Sequence, residues 1–306
     1  MLIEPAQLLA ALNLPPASQV EVEPLGLAPG SPEEVVISTP DGGQMVVLVR
    51  RSWDRELAEN NIAVLDRLNA NGYPYAPRLL AVIEGAAVEL EAQGVRALGL
   101  IPPGGSCEAA VDALAALHSL PLREGLRWER TPPDLFHDED VPLHRLGFTS
   151  AERNTVRPLL AAAREALLSS PFGFCHGNPI ATNVLLFADG AQLVNFEQAG
   201  FGSQLFDLAA FLLTIGLYPG QRRDLALRYA LARGLDPEST ADQVDLLGIL
   251  WGISEQLVLP RRLIEAYGDE LLTSALQTVA ARIDQGIREP AGSEPVAAEI
   301  RAALWR

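Results

Sequence analysis

Lysine is absent from this chain of 306 residues. All 23 basic side chains are therefore arginine, set against 39 aspartates and glutamates, and the formal net charge is −16. A chain with this excess of acids repels nucleic acids and anionic membranes, so we expect neither as a partner. Any chemistry that depends on a lysine side chain is excluded as well.

Cysteine and long apolar runs are also scarce. The two cysteines, Cys107 and Cys175, have neither metal-ligand spacing nor the pattern of a disulfide framework, which is typical of a reducing compartment. No apolar run approaches the roughly 20 residues that span a bilayer. Residues 1–14 are too short and too acidic for a signal peptide, so we expect a cytoplasmic protein.

The composition is that of an ordinary globular protein, with 48% hydrophobic and 20% charged residues. The length suffices for two lobes with a sizeable core. Apolar patterning in the first third predicts helices at 1–14 and 52–68 and strands at 20–25, 35–39, 45–49, 79–83, 87–90 and 97–101. Further along, it predicts helices at 208–215, 222–232, 241–258, 260–266 and 271–287.

The run Pro102-Pro103-Gly104-Gly105 interrupts this pattern and predicts a boundary. We therefore predict an α+β protein with two lobes. Residues 1–102 form a small lobe with a short leading helix, an antiparallel sheet and one further helix. Residues 103–306 form a larger, mainly helical lobe.

The stretch from residue 174 to 207 carries the candidate chemistry. Apolar runs at 184–187 and 192–196, separated by an Asp-Gly turn, predict a β-hairpin. Polar side chains stand at the edges of these runs, where burial without a partner is costly, so we expect them to face a cleft. These side chains are His176, Asn178, Asn183, Asn195 and Glu197.

This stretch resembles the catalytic and metal-binding segment of the aminoglycoside phosphotransferase and choline-kinase-like family. The family pattern is H-G-D-x-x-x-x-N, then [VIL]-[VIL]-D-[FW]-[EG], then a D-L-A helix start. Here it reads H-G-N at 176–178, Asn183, N-F-E at 195–197 and D-L-A at 207–209. Weaker likenesses at 72–78 and 114–120 follow the family's order. Members of this family are small-molecule kinases with a protein-kinase-like fold. The resemblance therefore implies that this chain has the two-lobed fold and, if it is active, uses ATP and Mg²⁺ as cofactors.

Two aspartates of the family pattern are asparagines in this sequence. At the position of the proton acceptor stands Asn178, whose amide cannot accept a proton near neutral pH. Losing a general base lowers a rate by about 10²–10⁴. At the position of the principal metal ligand stands Asn195, although Mg²⁺ is usually held by one or two carboxylates and phosphate oxygens. Asn183 and Glu197 complete a candidate weak metal site; the alternative is that both amides bind loop backbone.

The remaining family parts fall on the small lobe. The phosphate anchor, a lysine in the family, maps to Val49 or Arg50, and arginine differs from lysine in reach and geometry. The alternative for Arg50 is a solvated side chain. In the family, a glutamate on the following helix pairs with this phosphate anchor. The corresponding residue here is Glu56 or Glu59 or, in another alignment, Asn61.

The phosphate-covering loop maps to residues 26–34, where Gly30 and Ser31 are the candidate cofactor-binding residues. Glu33 and Glu34 would repel a triphosphate unless they face away. His176 opens the catalytic segment; a hydrogen bond to backbone or to Asp207 is favoured over a catalytic role.

The joint loss of both aspartates and of lysine favours a pseudokinase that binds a small molecule or a partner with impaired or absent phosphoryl transfer. The alternative is an active phosphotransferase that acts on an alcohol group through a variant metal site. A third class, an interaction protein with no small-molecule ligand, has no distinguishing sequence feature. The acceptor, any protein partner and the oligomeric state stay open.

Overall fold

The computed structural model describes residues 3–24, 33–50, 54–90, 95–96, 106–122, 150–187, 190–215, 217, 219–248 and 250–251. Several sequence predictions fall outside these residues. They are Gly30, Ser31, the lobe boundary at 102–105, the strand at 97–101 and the helices beyond 251.

The first part of the chain forms a five-stranded antiparallel sheet. Its order is β1-β2-β3-β5-β4. The strands are β1 (Gln19–Pro24), β2 (Glu33–Ser38), β3 (Gln44–Arg50), β4 (Arg78–Ile83) and β5 (Ala86–Leu90). Helix α1 (Pro5–Ala11) precedes the sheet, and helix α2 (Arg55–Ala70) lies between β3 and β4. These elements confirm the predicted helices and strands of this region, with small differences at their ends.

The two faces of this sheet have different neighbours because side chains alternate along each strand. Val47 and Val49 belong to a small core that also contains Leu8 and Leu9 from α1. Leu48, Arg50 and, across the strand pair, Glu89 point to the opposite face, since Leu48 and Glu89 are register partners. That face carries the charged residues that matter below.

Helix α2 is capped by Asp54, whose carboxylate accepts hydrogen bonds from the N–H groups of Glu56 and Leu57. Its apolar side packs away from the small core. Val64, Leu65 and Leu68 are fully buried in the main core of the molecule, together with residues of the second part of the chain. The helix therefore connects the sheet to the rest of the fold.

The second part of the chain is mainly helical. Its helices are α3 (Ser106–His118), α4 (Ser150–Ser169), α5 (Gln204–Thr214) and α6 (Pro219–Arg233), followed by helical residues at 237–248 and 250–251. Its short strands are β6 (Val95–Arg96), β7 (Phe172–Cys175), β8 (Val184–Phe187), β9 (Gly190–Leu193) and β10 (Gly200–Ser203). They form two small sheets, β6-β8-β9 and β10-β7.

The predicted hairpin is confirmed with one correction. Its second strand, predicted at 192–196, is β9 and ends at Leu193. The strand stops because Asn195 adopts φ 67 and ψ 69, the left-handed region that asparagine tolerates better than most residues. Phe196 then begins a short 3₁₀ helix, Phe196–Gln198. Across the described residues, no helix has the length and apolarity that crossing a membrane requires.

Candidate functional site

The segment that follows β7 is held by one buried carboxylate. Asp207, in the first turn of α5, accepts hydrogen bonds from the N–H of His176 at 2.6 Å and from the N–H of Gly177 at 3.0 Å. Gly177 has φ 81, which suits glycine. The carboxylate of Asp207 also forms a hydrogen bond with Nε2 of His118, 3.2 Å away. The loop that carries the catalytic positions is thus fastened to the helical core.

The ring of His176 joins two loops. Its Nε2 donates to the carbonyl of Val194 at 3.0 Å, and its Nδ1 accepts the N–H of Asn178 at 3.3 Å. These roles require the neutral ring with its proton on Nε2. The ring packs on Phe196 with 4.6 Å between centroids, and the residue has no exposed surface. Of the two predicted alternatives, the ring makes the hydrogen bonds to backbone, and Asp207 is bonded by the backbone N–H of His176.

Asn183 links the three asparagines of the sequence pattern. Its Nδ2 donates to the backbone carbonyl of Asn178 at 2.8 Å. Its Oδ1 lies 3.4 Å from Nδ2 of Asn195. A backbone bond from the N–H of Val194 to the carbonyl of Asn183, 2.9 Å long, sets the spacing of the two loops. The structure therefore brings the residues predicted as base and metal ligands onto two adjacent loops.

This donor set fits a divalent metal poorly. The amide nitrogen of Asn195, not its oxygen, faces Oδ1 of Asn183, so one of the expected ligand oxygens already accepts a hydrogen bond. Both groups are neutral, whereas Mg²⁺ favours carboxylate oxygens. One feature points the other way. Oδ1 of Asn195 is buried and receives no hydrogen bond from the described residues, and an unsatisfied buried oxygen is costly.

Asn60 of α2 forms hydrogen bonds to the turn that contains Glu197. Nδ2 of Asn60 lies 3.0 Å from the carbonyl of Glu197, 2.9 Å from that of Ala199 and 3.5 Å from that of Phe196. Asn60 is itself buried. Glu197, the carboxylate predicted as a metal ligand, occupies the middle of this turn and is partly exposed.

Arg50 takes part in a buried ion pair. Its Nε lies 3.6 Å from Oε1 of Glu89, with 10% and 0% of the two side chains exposed. Oε1 of Glu89 also accepts Nδ2 of Asn61 at 2.9 Å, and Oδ1 of Asn61 accepts the N–H of Phe196 at 2.9 Å. A continuous path of contacts thus runs from the predicted phosphate anchor to the residue after Asn195.

The structure separates the three candidates for the partner on α2. Glu56 is exposed, and Glu59 forms an ion pair with Arg55 on the same helix at 2.8 Å. Asn61 is the candidate that faces the site. The two acids assigned to the phosphate loop, Glu33 and Glu34, instead begin strand β2, so that part of the loop prediction is wrong. Both residues are part of the strand because β2 pairs with β3, where Glu34 lies opposite Leu48.

Sequence reasoning missed Glu89 and Asn60. Each carried a signal. Glu89 is a single acid after Ala86, Ala87 and Val88, a run with full burial, and an acid in such a strand needs a partner. Asn60 and Asn61 are adjacent asparagines inside a helix, where their propensity is low. What the sequence lacked was the strand register that sets Glu89 near Arg50.

A sequence model of the phosphotransferase enzyme family, APH, matches residues 30–243, more than half of the chain. A comparison with curated proteins gives no match.

The fold is similar to those of several solved structures. One is a choline/ethanolamine kinase family protein from Mesorhizobium loti, with 20% identity and TM-score 0.58 over 96% of this chain and 98% of that one. Another is a macrolide 2′-phosphotransferase from Brachybacterium faecium, with 16% identity and TM-score 0.61 over 90% and 96%. A third is an aminoglycoside phosphotransferase from Alicyclobacillus acidocaldarius, with 15% identity and TM-score 0.62 over 99% and 97%. At these identities the likeness shows the fold alone.

Proposed function

This chain belongs to the phosphotransferase enzyme family. From the asparagines at its candidate site, we propose that it is a pseudokinase. It holds a small molecule or a partner at the family's cleft, and phosphoryl transfer is impaired or absent. The observation that carries this is the amide contact between Asn195 Nδ2 and Asn183 Oδ1, 3.4 Å apart. The two positions that would share a metal instead contact each other as neutral amides.

The proton-acceptor position supports the same function. Asn178 is partly exposed and sits on the ordered loop beside His176. An amide there can orient a hydroxyl group but cannot remove its proton. The neighbouring imidazole does not replace the missing base. Nδ1 of His176 accepts a hydrogen bond from a backbone N–H, and Nε2 donates a hydrogen bond to a backbone carbonyl. Positioning remains, and the general-base contribution of about 10²–10⁴ is lost.

The experiment restores both carboxylates. Asn178→Asp and Asn195→Asp are made singly and together, and ADP formation from ATP is followed with a panel of amino alcohols and amino sugars in Mg²⁺ or Mn²⁺. We expect the parent to show little turnover and the double variant to gain about 10²-fold or more. In parallel, ATP binding should respond to Mg²⁺ more strongly in Asn195→Asp, since a carboxylate at that position attracts the cation.

The matched control is Asn71→Asp, which adds the same charge at an exposed residue at the end of α2. It should change neither turnover nor the response to Mg²⁺. Robust metal-dependent phosphorylation by the purified parent would overturn the proposal.

The alternative function is an active phosphotransferase with a variant metal site, and the buried Oδ1 of Asn195 favours it. A bound cation would give this oxygen a partner. Glu197, two residues further on, is the carboxylate nearest in sequence. If this function is correct, the melting temperature of the parent rises when ATP is added with Mg²⁺ or Mn²⁺, and Glu197→Gln abolishes the metal-dependent part of the rise. A melting temperature that is unchanged by ATP, ADP, GTP and GDP with either metal would exclude it.

A further inference from the structure

We propose that Glu89 of strand β5 serves as the carboxylate partner of Arg50, in place of an acid on helix α2. Asn61 then acts as a positioning residue that links this ion pair to the turn after Asn195. The inference rests on the proposed function only in taking Arg50 as the anchor for an anionic ligand. In kinase folds the corresponding basic residue pairs with a glutamate of the helix, whereas in this chain that helix presents an amide.

The ion pair follows from strand register. Leu48 on β3 lies opposite Glu89 on β5, and Arg50 is two residues further along β3 on the same face. Long side chains on such diagonal positions reach each other. The carboxylate has no exposed surface and lies 3.6 Å from Nε of Arg50. A buried carboxylate without a counter-charge is strongly destabilising, so the two residues depend on each other.

The side-chain amide of Asn61 has both a donor and an acceptor, and each has a partner of the matching kind. Nδ2 donates to the carboxylate of Glu89, and Oδ1 accepts the N–H of Phe196, each at 2.9 Å. A glutamate at position 61 could accept the Phe196 N–H and pair with Arg50, but it would set a second buried negative charge beside Glu89. Position 61 or position 89 can therefore carry the carboxylate, and not both.

The link to the candidate site passes through one backbone group. The N–H of Phe196 belongs to the peptide that joins it to Asn195, which has left-handed backbone angles. When the charge at Glu89 is removed, the hydrogen bond from Nδ2 of Asn61 is no longer charge-assisted, and Asn61 holds Phe196 less firmly. We therefore expect an alteration on strand β5 to loosen the turn at 195–198, although it lies on another element.

The first test moves the charge between the two positions. Glu89→Gln, Asn61→Glu and the double variant are compared with the parent by thermal unfolding without ligand. Each single change should lower the melting temperature, the first by removing the negative charge that faces Arg50 and the second by placing two carboxylates together. The double variant should melt above both singles. Independent packing effects would instead add, and the double would melt lowest.

The second test reads the turn directly. Hydrogen–deuterium exchange is followed on a peptide that covers residues 193–199. Exchange should become faster in Glu89→Gln and return towards the parent in the double variant. Asn60→Ala is the positive control, because Asn60 bonds the turn itself. Asp112→Asn is the matched negative control, since it removes a carboxylate from an exposed ion pair with Arg228 and should leave the turn unchanged.

A third measurement uses ATP in the presence of a chelator as the anionic probe. Glu89→Gln should weaken binding several-fold, and the double variant should restore it. If the parent binds no ATP, the assignment of Arg50 as an anchor fails, and the melting and exchange experiments still decide the link between Glu89 and the turn.

The proposal is overturned if the double variant melts below both singles, or if Glu89→Gln leaves the exchange of the turn at the parent's rate. If Glu89→Gln does not fold, folding of the double variant is the expected rescue. Failure of both to fold would also overturn the proposal.

Discussion

Asp245, in the last described helix, is a carboxylate that folding keeps from water. Burial raises the pKa of this group from its ordinary 3.8 to about 6, against the opposite influence of Arg222 and Arg223. The folded protein therefore holds the proton more tightly than the unfolded chain. Stability from the protonated group is present at low pH and is lost as pH rises from about 4 through 6.

We predict that Asp245→Asn stabilises the protein at pH 8 by roughly 1–3 kcal/mol, because each unit of pKa shift corresponds to about 1.4 kcal/mol. At pH 4 the gain should nearly vanish, since the native carboxyl is then largely protonated. Urea unfolding at both pH values measures this. Asp242→Asn on the same helix is the control; its side chain is exposed and accepts a bond from Arg223, so it should give no gain at pH 8. An equal gain at both pH values would contradict the prediction.

The sequence predicts the positions of the amides but not their hydrogen-bond partners. The resemblance of residues 176–197 to the family pattern predicted a site at Asn178, Asn183 and Asn195. Which atom of each amide faces its neighbour depends on backbone angles such as the φ of 67 at Asn195, which no local pattern specifies. The partner of Arg50 depends on the pairing of β3 with β5, a long-range property of the sheet.

Among the elements, α2 has the most consequences because it carries both Asn60 and Asn61. Its first turn is fixed by Asp54, whose Oδ1 accepts the N–H of Glu56 at 2.8 Å and that of Leu57 at 3.3 Å. Such a cap satisfies backbone donors that the helix cannot pair internally.

Replacing this cap should destabilise the protein modestly without altering the site. We predict that Asp54→Ala lowers the free energy of unfolding by about 1 kcal/mol, within 0.5–2 kcal/mol. Asp54→Ser, which keeps an accepting oxygen, should recover most of the loss. Urea unfolding gives the values, and exchange at 193–199 should be unaffected because Asn60 lies more than a turn away. A loss equal in the alanine and serine variants would refute the capping role.

Elements next to a clear turn signal were predicted, and several others were missed. Strands β2 and β3 contain apolar runs on either side of an Asp-Gly-Gly turn, which is a local hairpin signal. Helix α4 was not predicted; it contains Pro158 in its interior, where proline removes a helical hydrogen bond. Strands β7 and β10 have four residues each and pair only after the chain has passed through the hairpin.

In the whole molecule, packing joins a helix of the first third of the chain to the elements that follow. The small core joins α1 to one face of the sheet. The main core contains Val64, Leu65 and Leu68 of α2 beside residues of α3, β8 and α5. The helix that completes the N-terminal lobe in sequence thus belongs, by packing, with the helical part.

We predict that a fragment of residues 1–102 does not unfold cooperatively on its own. Three fully buried leucine and valine side chains of α2 would be exposed, and burying each contributes roughly 1.5–3 kcal/mol. Circular dichroism during heating should show no sharp transition for the fragment. Mixing it with residues 103–306 should restore one. A sharp transition from the isolated fragment would mean that the lobe is autonomous and that the shared core contributes little.

The hydrogen bond from Phe196 to Asn61 also bears on how the molecule ages. Asparagine loses ammonia when the nitrogen of the next residue attacks its side-chain carbonyl, and later hydrolysis leaves aspartate or isoaspartate. At Asn195 that nitrogen has its hydrogen bound to Oδ1 of Asn61 at 2.9 Å. At Asn178 the next residue is Pro179, whose nitrogen has no hydrogen. Both amides are thereby protected from spontaneous deamidation, so a stored preparation does not generate by itself the carboxylates that the family's chemistry needs.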